Sequence, residues 1–206
     1  MTARIARSFD FQTGTFFTGD YFINAFEVDV QFTVETDSIR EQNIALERIK
    51  FYIAECLEHA VLIHETETTA IDKFLDAGMK VCTLPEEPYD QIVGIMLLTK
   101  LNAIAEGRLV VTDISVSSRM SDGVICHHDM DENLGPFRLA GWWNDASTKI
   151  TDYISKTKGK KIVKLVKPSQ DWDELGMNWE EKPLIVTEVK SNSEVVFAMF
   201  DNKKDK

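Results

Sequence analysis

The densest reactive chemistry in the chain is the run Cys126-His127-His128-Asp129-Met130-Asp131-Glu132. At a strand end side chains alternate, so Cys126 and His128 share one face while His127 points the other way. A thiolate and an imidazole on one face can give two ligands to zinc, which takes sulfur and nitrogen donors at about 2.0–2.3 Å. His64, in His64-Glu65-Thr66-Glu67, or Cys82 would supply the third. The region offers a second chemistry as well. Asp129, Asp131 and Glu132, with Glu65 and Glu67 opposite, could hold magnesium for a phosphate-bearing substrate. Without metal, His127 or His128 would be the general base and a carboxylate would hold a ligand's N–H groups. The plain alternative is a core thiol at Cys126 followed by a polar strand end, and no paired Cys-x-x-Cys spacing speaks for zinc.

Other catalytic signatures are absent from the sequence. There is no Gly-x-Ser-x-Gly elbow, Walker A loop or Rossmann fingerprint, and the ten glycines are scattered singly. His59 lies beside apolar positions and reads as a structural histidine. Trp142-Trp143 could form a ring platform for a ligand, although buried packing or a subunit contact is the commoner use.

The elements that must position these residues are legible in places. From Phe22 to Glu35 apolar residues (Phe26, Val28, Val30, Phe32, Val34) alternate with Glu27, Asp29, Gln31 and Thr33, which predicts an antiparallel strand with one wet face. Arg7 to Phe17 reads as its partner. Ser38 stands three residues before Glu41, a capping box that opens a helix from about Ile39 to about Ala60. A shorter helix spans Thr66 to Ala77, and a third runs from near Pro88 to Gly107. That last helix is apolar around most of its surface, so either a thick core or another subunit covers it. Leu109 to Ser117 and Val124 to His128 form a second hairpin around Ser121-Asp122-Gly123. Beyond Gly135-Pro136 a helical stretch is expected from Asp145 to Ser155, a strand from Lys160 to Lys167, and a further hairpin from Leu184 to Phe200. The expected class is α+β: an antiparallel sheet backed by two long helices in ββααββ order, with a C-terminal hairpin extension. We divide the chain into a core over 1–135, an extension over 136–200 packed on it, and a polar tail over 201–206.

Composition narrows the function classes. The chain has 206 residues, 44% hydrophobic and 28% charged, with a formal net charge of −11. An acidic body repels a phosphate backbone, which disfavours nucleic acid as a partner. Seven lysines stand against one acid between Lys149 and Lys167, yet this stretch lacks arginine and has a single aromatic, Tyr153. No run of eighteen apolar residues occurs, so no membrane-spanning helix is expected. The first ten residues do not read as a secretory signal. Three cysteines at wide spacing then read as reduced thiols, and the expected location is cytoplasmic.

The strand-strand-helix-helix-strand-strand order over roughly the first 130 residues resembles the tunnelling fold, shared by GTP cyclohydrolase I, pyruvoyl-tetrahydropterin synthase and urate oxidase. The resemblance implies a homo-oligomer whose sheets join into a barrel, with purine- or pterin-like ligands bound between subunits. It is one of element order. The spaced histidines and the Cys-Glu-His-His run of the pterin enzymes' zinc signatures are not reproduced, and Cys126-His127-His128 lacks the intervening acid.

Two functions compete on these observations. One is an oligomeric α+β protein that binds or transforms a small purine-, pterin- or nucleotide-like ligand, with zinc or magnesium as candidate ions. The other is a non-catalytic acidic interaction protein acting through protein–protein contacts. In it the Trp172/Trp179 loop and the lysine stretch face partners.

Overall fold

A computed structural model describes residues 3–155 and 170–180. The strand expected over 160–167 and the hairpin expected over 184–200 lie outside the described residues. β1 (Arg4–Phe17) and β2 (Asp20–Val34) form a long antiparallel hairpin. Thr18 and Gly19 turn it with φ of 51° and 90°, the pair of positive values that a two-residue hairpin loop requires. The alternation in β2 has its expected effect: Val28, Val30 and Phe32 are buried while Glu27, Asp29 and Gln31 are wet.

α1 (Ile39–Phe51) begins at Ser38, whose hydroxyl accepts from the amide of Glu41 at 3.3 Å. It does not run on as a regular helix to Ala60. Tyr52–Leu57 widen into a π-helical turn, and His59 ends it at φ 61°. The chain then makes β3 (Val61–His64), α2 (Thr68–Asp76) and β4 (Val81–Leu84). Neither short strand was expected, because both are buried on their two faces and carry no alternation. β3 pairs in parallel with β1, and β4 in parallel with β3. The sheet is therefore mixed rather than antiparallel, and the element order is ββαβαβαββ.

α3 (Asp90–Ala105) is followed by β5 (Leu109–Ser118) and β6 (Cys126–Asp129). β5 pairs with β2 from Phe26↔Ser118 to Val34↔Leu109, so both hairpins lie in one six-stranded sheet ordered β4-β3-β1-β2-β5-β6. α1 and α3 cover one face over the main core. α2 covers the β3 side of the other face, where Val61, Ile63, Ile71 and Val81 form a second cluster. No helix among the described residues is long and apolar enough to cross a membrane.

The cover over α3 comes from its own chain. Phe137, Trp142 and Trp143 are all buried in the main core, with the indole N–H groups donating to Thr83 O (2.8 Å) and to Phe137 O (3.0 Å). The tryptophan pair is packing, not an open platform. The helix expected over 145–155 does not form because tertiary partners take its backbone groups. The fully buried Lys100 donates to the carbonyls of Trp142 (2.8 Å) and Asp145 (2.6 Å). Asp152 accepts from the amide of Trp142 (2.7 Å), and Ile150 O accepts from the amide of Thr83 (3.2 Å). The acidic-aromatic loop at 171–180 is likewise turned inward. The Arg48 guanidinium lies between the rings of Trp172 (5.0 Å) and Trp179 (3.8 Å) and donates to Met177 O at 2.8 Å.

Lys100 carries a pH consequence. Burial pushes its ammonium down from 10.5 to about 8, against the opposing pull of Asp145. In the unfolded chain the proton stays on to 10.5, so between those values unfolding takes up a proton. This group's contribution to stability is thus complete above about 10.5 and is lost as pH falls through about 8. Relative to Lys100→Met, the wild-type protein should gain about 3 kcal/mol between pH 8 and 10.5, read from denaturant midpoints. A constant difference across that range would refute it.

Candidate functional site

The sheet order decides which candidate ligands can meet. Cys126 and His128 do share the helix-side face of β6, and His127 faces the opposite, open side, where its Nδ1 lies 2.8 Å from Ser115 Oγ. His64, however, sits on β3, with β1, β2 and β5 between it and β6. Four strand spacings are about 19 Å, too far for a shared ion within one subunit. Its Nδ1 instead meets Thr66 Oγ1 at 2.9 Å. Cys82, on β4, is farther still, and burial pushes its thiol far up. Glu65 and Glu67 belong to the β3 side, whereas Asp129 and Asp131 are exposed beside β6, the Asp129 carboxylate accepting from the Asp131 amide. No group of three or more His, Cys, Asp or Glu among the described residues is placed to hold a metal ion. The zinc set Cys126/His128/His64 and the magnesium set Asp129/Asp131/Glu65/Glu67 are therefore not assembled within the subunit, and the zinc of the pterin enzymes finds no fitting donor set.

The structure gathers a different constellation under the first two turns of α3. His128 is 4% exposed, and its Nδ1 lies 3.1 Å from Glu132 Oε2, while Nε2 is buried without a partner. The ring fits only because α3 has Gly94 there. A Cβ at that position would come within 2.5 Å of His128 Cδ2 and 2.6 Å of Nε2. One turn earlier, Asp90 accepts from Ser118 Oγ at 2.8 Å through Oδ1, and its buried Oδ2 has no partner. Cys126 is half-buried beside them. Burial, and then the Asp90 charge, raise its thiol pKa.

A polar row extends the site toward β1. The amide of Met120 donates to both Asn24 Oδ1 (3.3 Å) and Ser118 Oγ (3.2 Å), and Asn24 faces Thr13 across the hairpin. Thr13 and Thr15 are each 2% exposed with unpartnered hydroxyls. Of the five buried side-chain atoms without a partner among the described residues, two hydroxyls belong to this row, Asp90 Oδ2 to the first turn of α3, and His128 Nε2 to β6 beneath that helix. Unpaired buried polar atoms are costly, so each calls for a ligand group or an ordered water beside it.

Proton placement follows from the partners. A carboxylate only accepts, so the neutral imidazole carries its hydrogen on Nδ1, toward Glu132, and presents a lone pair at Nε2. Asp90 Oδ2 also accepts. Asp90 and Gly94, against which His128 Nε2 lies, are one helical turn apart on α3. Tyr89, Met120, Val124 and Ile125, close in sequence to Asp90, Ser118 and Cys126, are all exposed.

No protein-family model matches the chain, and no curated protein matches it. Solved structures do. An uncharacterized protein from Wolinella succinogenes is 13% identical with a TM-score of 0.47, covering 64% of this chain and 99% of its own. A catalytic-residue mutant of 6-pyruvoyltetrahydropterin synthase from Plasmodium vivax is 11% identical, with a TM-score of 0.38 and coverage of 63% and 99%. The Plasmodium falciparum enzyme is 14% identical, with a TM-score of 0.37 and the same coverage. The likeness is one of fold.

The sequence singled out His128 and Glu132, and it gave no prominence to Asp90, Gly94, Ser118, Thr13 and Thr15. Two signals were present: an acid in the first turn of an otherwise greasy helix, and a glycine inside it. Gly94→Ala should drive the His128 ring off its seat, costing about 1–3 kcal/mol. A thermal melt checks the cost. Nitrogen chemical shifts of the imidazole check the displacement, and unchanged shifts would contradict the packing argument.

Proposed function

We propose that this chain binds a small planar heterocycle of purine or pterin type at the α3 N-terminus, and that His128 acts on it as a general base. The observation that carries the reading is the pair of buried, unpartnered acceptors, Asp90 Oδ2 and His128 Nε2. A heterocycle edge bearing adjacent N–H groups supplies the donors that Asp90 lacks. Glu132 holds the imidazole in the tautomer that can take a proton, as an orienting carboxylate does for a catalytic histidine. Neither role calls for a metal.

Asp90→Asn should weaken binding of such a ligand by about 2 kcal/mol, roughly thirty-fold in Kd. His128→Ala should fold normally and lose proton transfer. Isothermal titration with a panel of purines and pterins reads the first. Equal affinity of wild type and Asp90→Asn, or no binding across the panel, would defeat the proposal.

Self-association belongs to the same reading. On its side away from β2, β1 meets β3 only at Gly14 and Thr15, and β6 pairs only with β5 among the described residues. Their outer edges present backbone groups ready for pairing. Through β2 and β5, β1 and β6 run in opposite senses, so β6 of one copy set against β1 of the next continues antiparallel pairing. Light scattering should give a multiple of the 23.5 kDa chain mass. A monomer at micromolar concentration would remove this part.

A further inference from the structure

We infer that the junction between copies is fixed by charge: the partner's Arg4 and Arg7, on its β1, lie against Asp129, Asp131 and Glu132 at β6, and the partner's Arg7 joins the site as a positioning residue for Glu132. The inference rests on the self-association reading above. It adds the residues that hold two copies together and the one that a second copy brings to His128.

Backbone groups decide which edges can meet. The β4 edge is covered by its own chain, with Ile150 O accepting from the Thr83 amide and Thr151 Oγ1 2.9 Å from Thr83 Oγ1. On β1, Gln12 O accepts from the His59 amide and the Gly14 amide donates to Ala60 O, so the even residues turn their peptide groups away from β2. Arg4, Ala6, Ser8 and Asp10 repeat that orientation before β3 begins, and no described strand meets them there. On β5, the amide and carbonyl of Ser118 both bond to Ser121, in the turn toward β6. Its even residues Ile114 and Val116 likewise face β6, where their partners are His128 and Cys126. His127 and Asp129 therefore present their peptide groups at the free edge.

Side chains and charges are in phase with that pairing. The outward residues of both strands, Ser8 and His127 among them, carry their side chains on the open face, so the joined sheet keeps the helices of both copies on one side. Antiparallel pairing brings the start of the partner's β1 to the end of β6. The first is basic: Arg4 and Arg7 are exposed and enter no ion pair among the described residues. The second is acidic: Asp129 and Asp131 are exposed and Glu132 is half-buried. Asp10, the one acid of the free β1 edge, stands at its other end. With the partner's Arg7 opposite His128, the partner's Ala6 is opposite Asp129 and the partner's Arg4 reaches the turn that carries Asp131. Glu132, 3.1 Å from His128 Nδ1, then has a guanidinium beside it. The partner's Ile5, half-buried in its own copy, falls at an apolar notch of about 390 Å³ between Leu98, Val111, Met130 and Leu134. Opposed charges of this kind set register and partner choice more than they add affinity.

Two charge reversals in the full chain test the junction: Arg4→Glu with Arg7→Glu, and Asp129→Lys with Asp131→Lys, each checked for its fold by a thermal melt. By light scattering, wild type should associate at low salt and lose at least about tenfold in affinity at about 0.5 M salt. Each reversed chain alone should lose at least about tenfold as well. An equimolar mixture of the two should associate again, since every contact then sets a basic edge against an acidic one. The imidazole nitrogen shifts of His128 should differ between associated wild type and the dissociated Arg4→Glu, Arg7→Glu chain. Reversed chains that associate as tightly as wild type, or a mixture that stays apart, overturn the charged junction and leave the self-association reading standing. His128 shifts that do not differ take Arg7 out of the site. A wild-type chain that is monomeric at every salt concentration, as when another segment of the same chain covers either edge, overturns both.

Discussion

A helix with no wet face has to be covered on every side, and the close seating of α3 on the sheet is the constraint that shapes this molecule. Ten of its residues are buried. Beneath it, the approach to β5 and β6 is tight enough that Gly94 is needed to admit the His128 ring. Above it, the Phe137–Trp143 turns are held down by indole hydrogen bonds and by the buried ammonium of Lys100. The same closeness that makes the core dense also removes water from the acceptors at the helix start.

That is how packing becomes chemistry here. An imidazole on a wet strand end would hydrogen-bond to solvent and have no preferred proton position. Set under α3, it has one neighbour on each side: the Glu132 carboxylate at Nδ1 and the helix at Gly94 against Nε2. Asp90, at the helix start where an acid is favoured by the macrodipole, is held by Ser118 from the far end of β5. The site is thus built from three elements that meet only because β5 and β6 lie under the first turns of α3.

The remainder of the fold is held by cations in unusual places. Arg48, with Trp172 and Trp179 stacked on its guanidinium, docks both rings of the acidic-aromatic loop and makes it an internal clasp. Lys100 uses its charge on the carbonyls of Trp142 and Asp145, and so prevents residues 145–155 from coiling as their local pattern suggests. In both cases long-range pairing overrides local propensity, since a buried cation must find acceptors wherever the chain can bring them.

The sequence by itself determined the elements whose signals are local. Alternation in β2, the Ser38–Glu41 cap, the apolar girth of α3 and the shared face of Cys126 and His128 all depend on spacing within a few residues. Tertiary structure alone decided that β3 and β4 join the sheet in parallel, because strands buried on both faces lose the alternation that announces them. It also decided that His64 stands four strands from His128 and that Asp90 and Gly94 adjoin that ring instead. Which residues share a site depends on the lateral order of strands, and that order is set by how whole faces pack, not by any spacing along the chain.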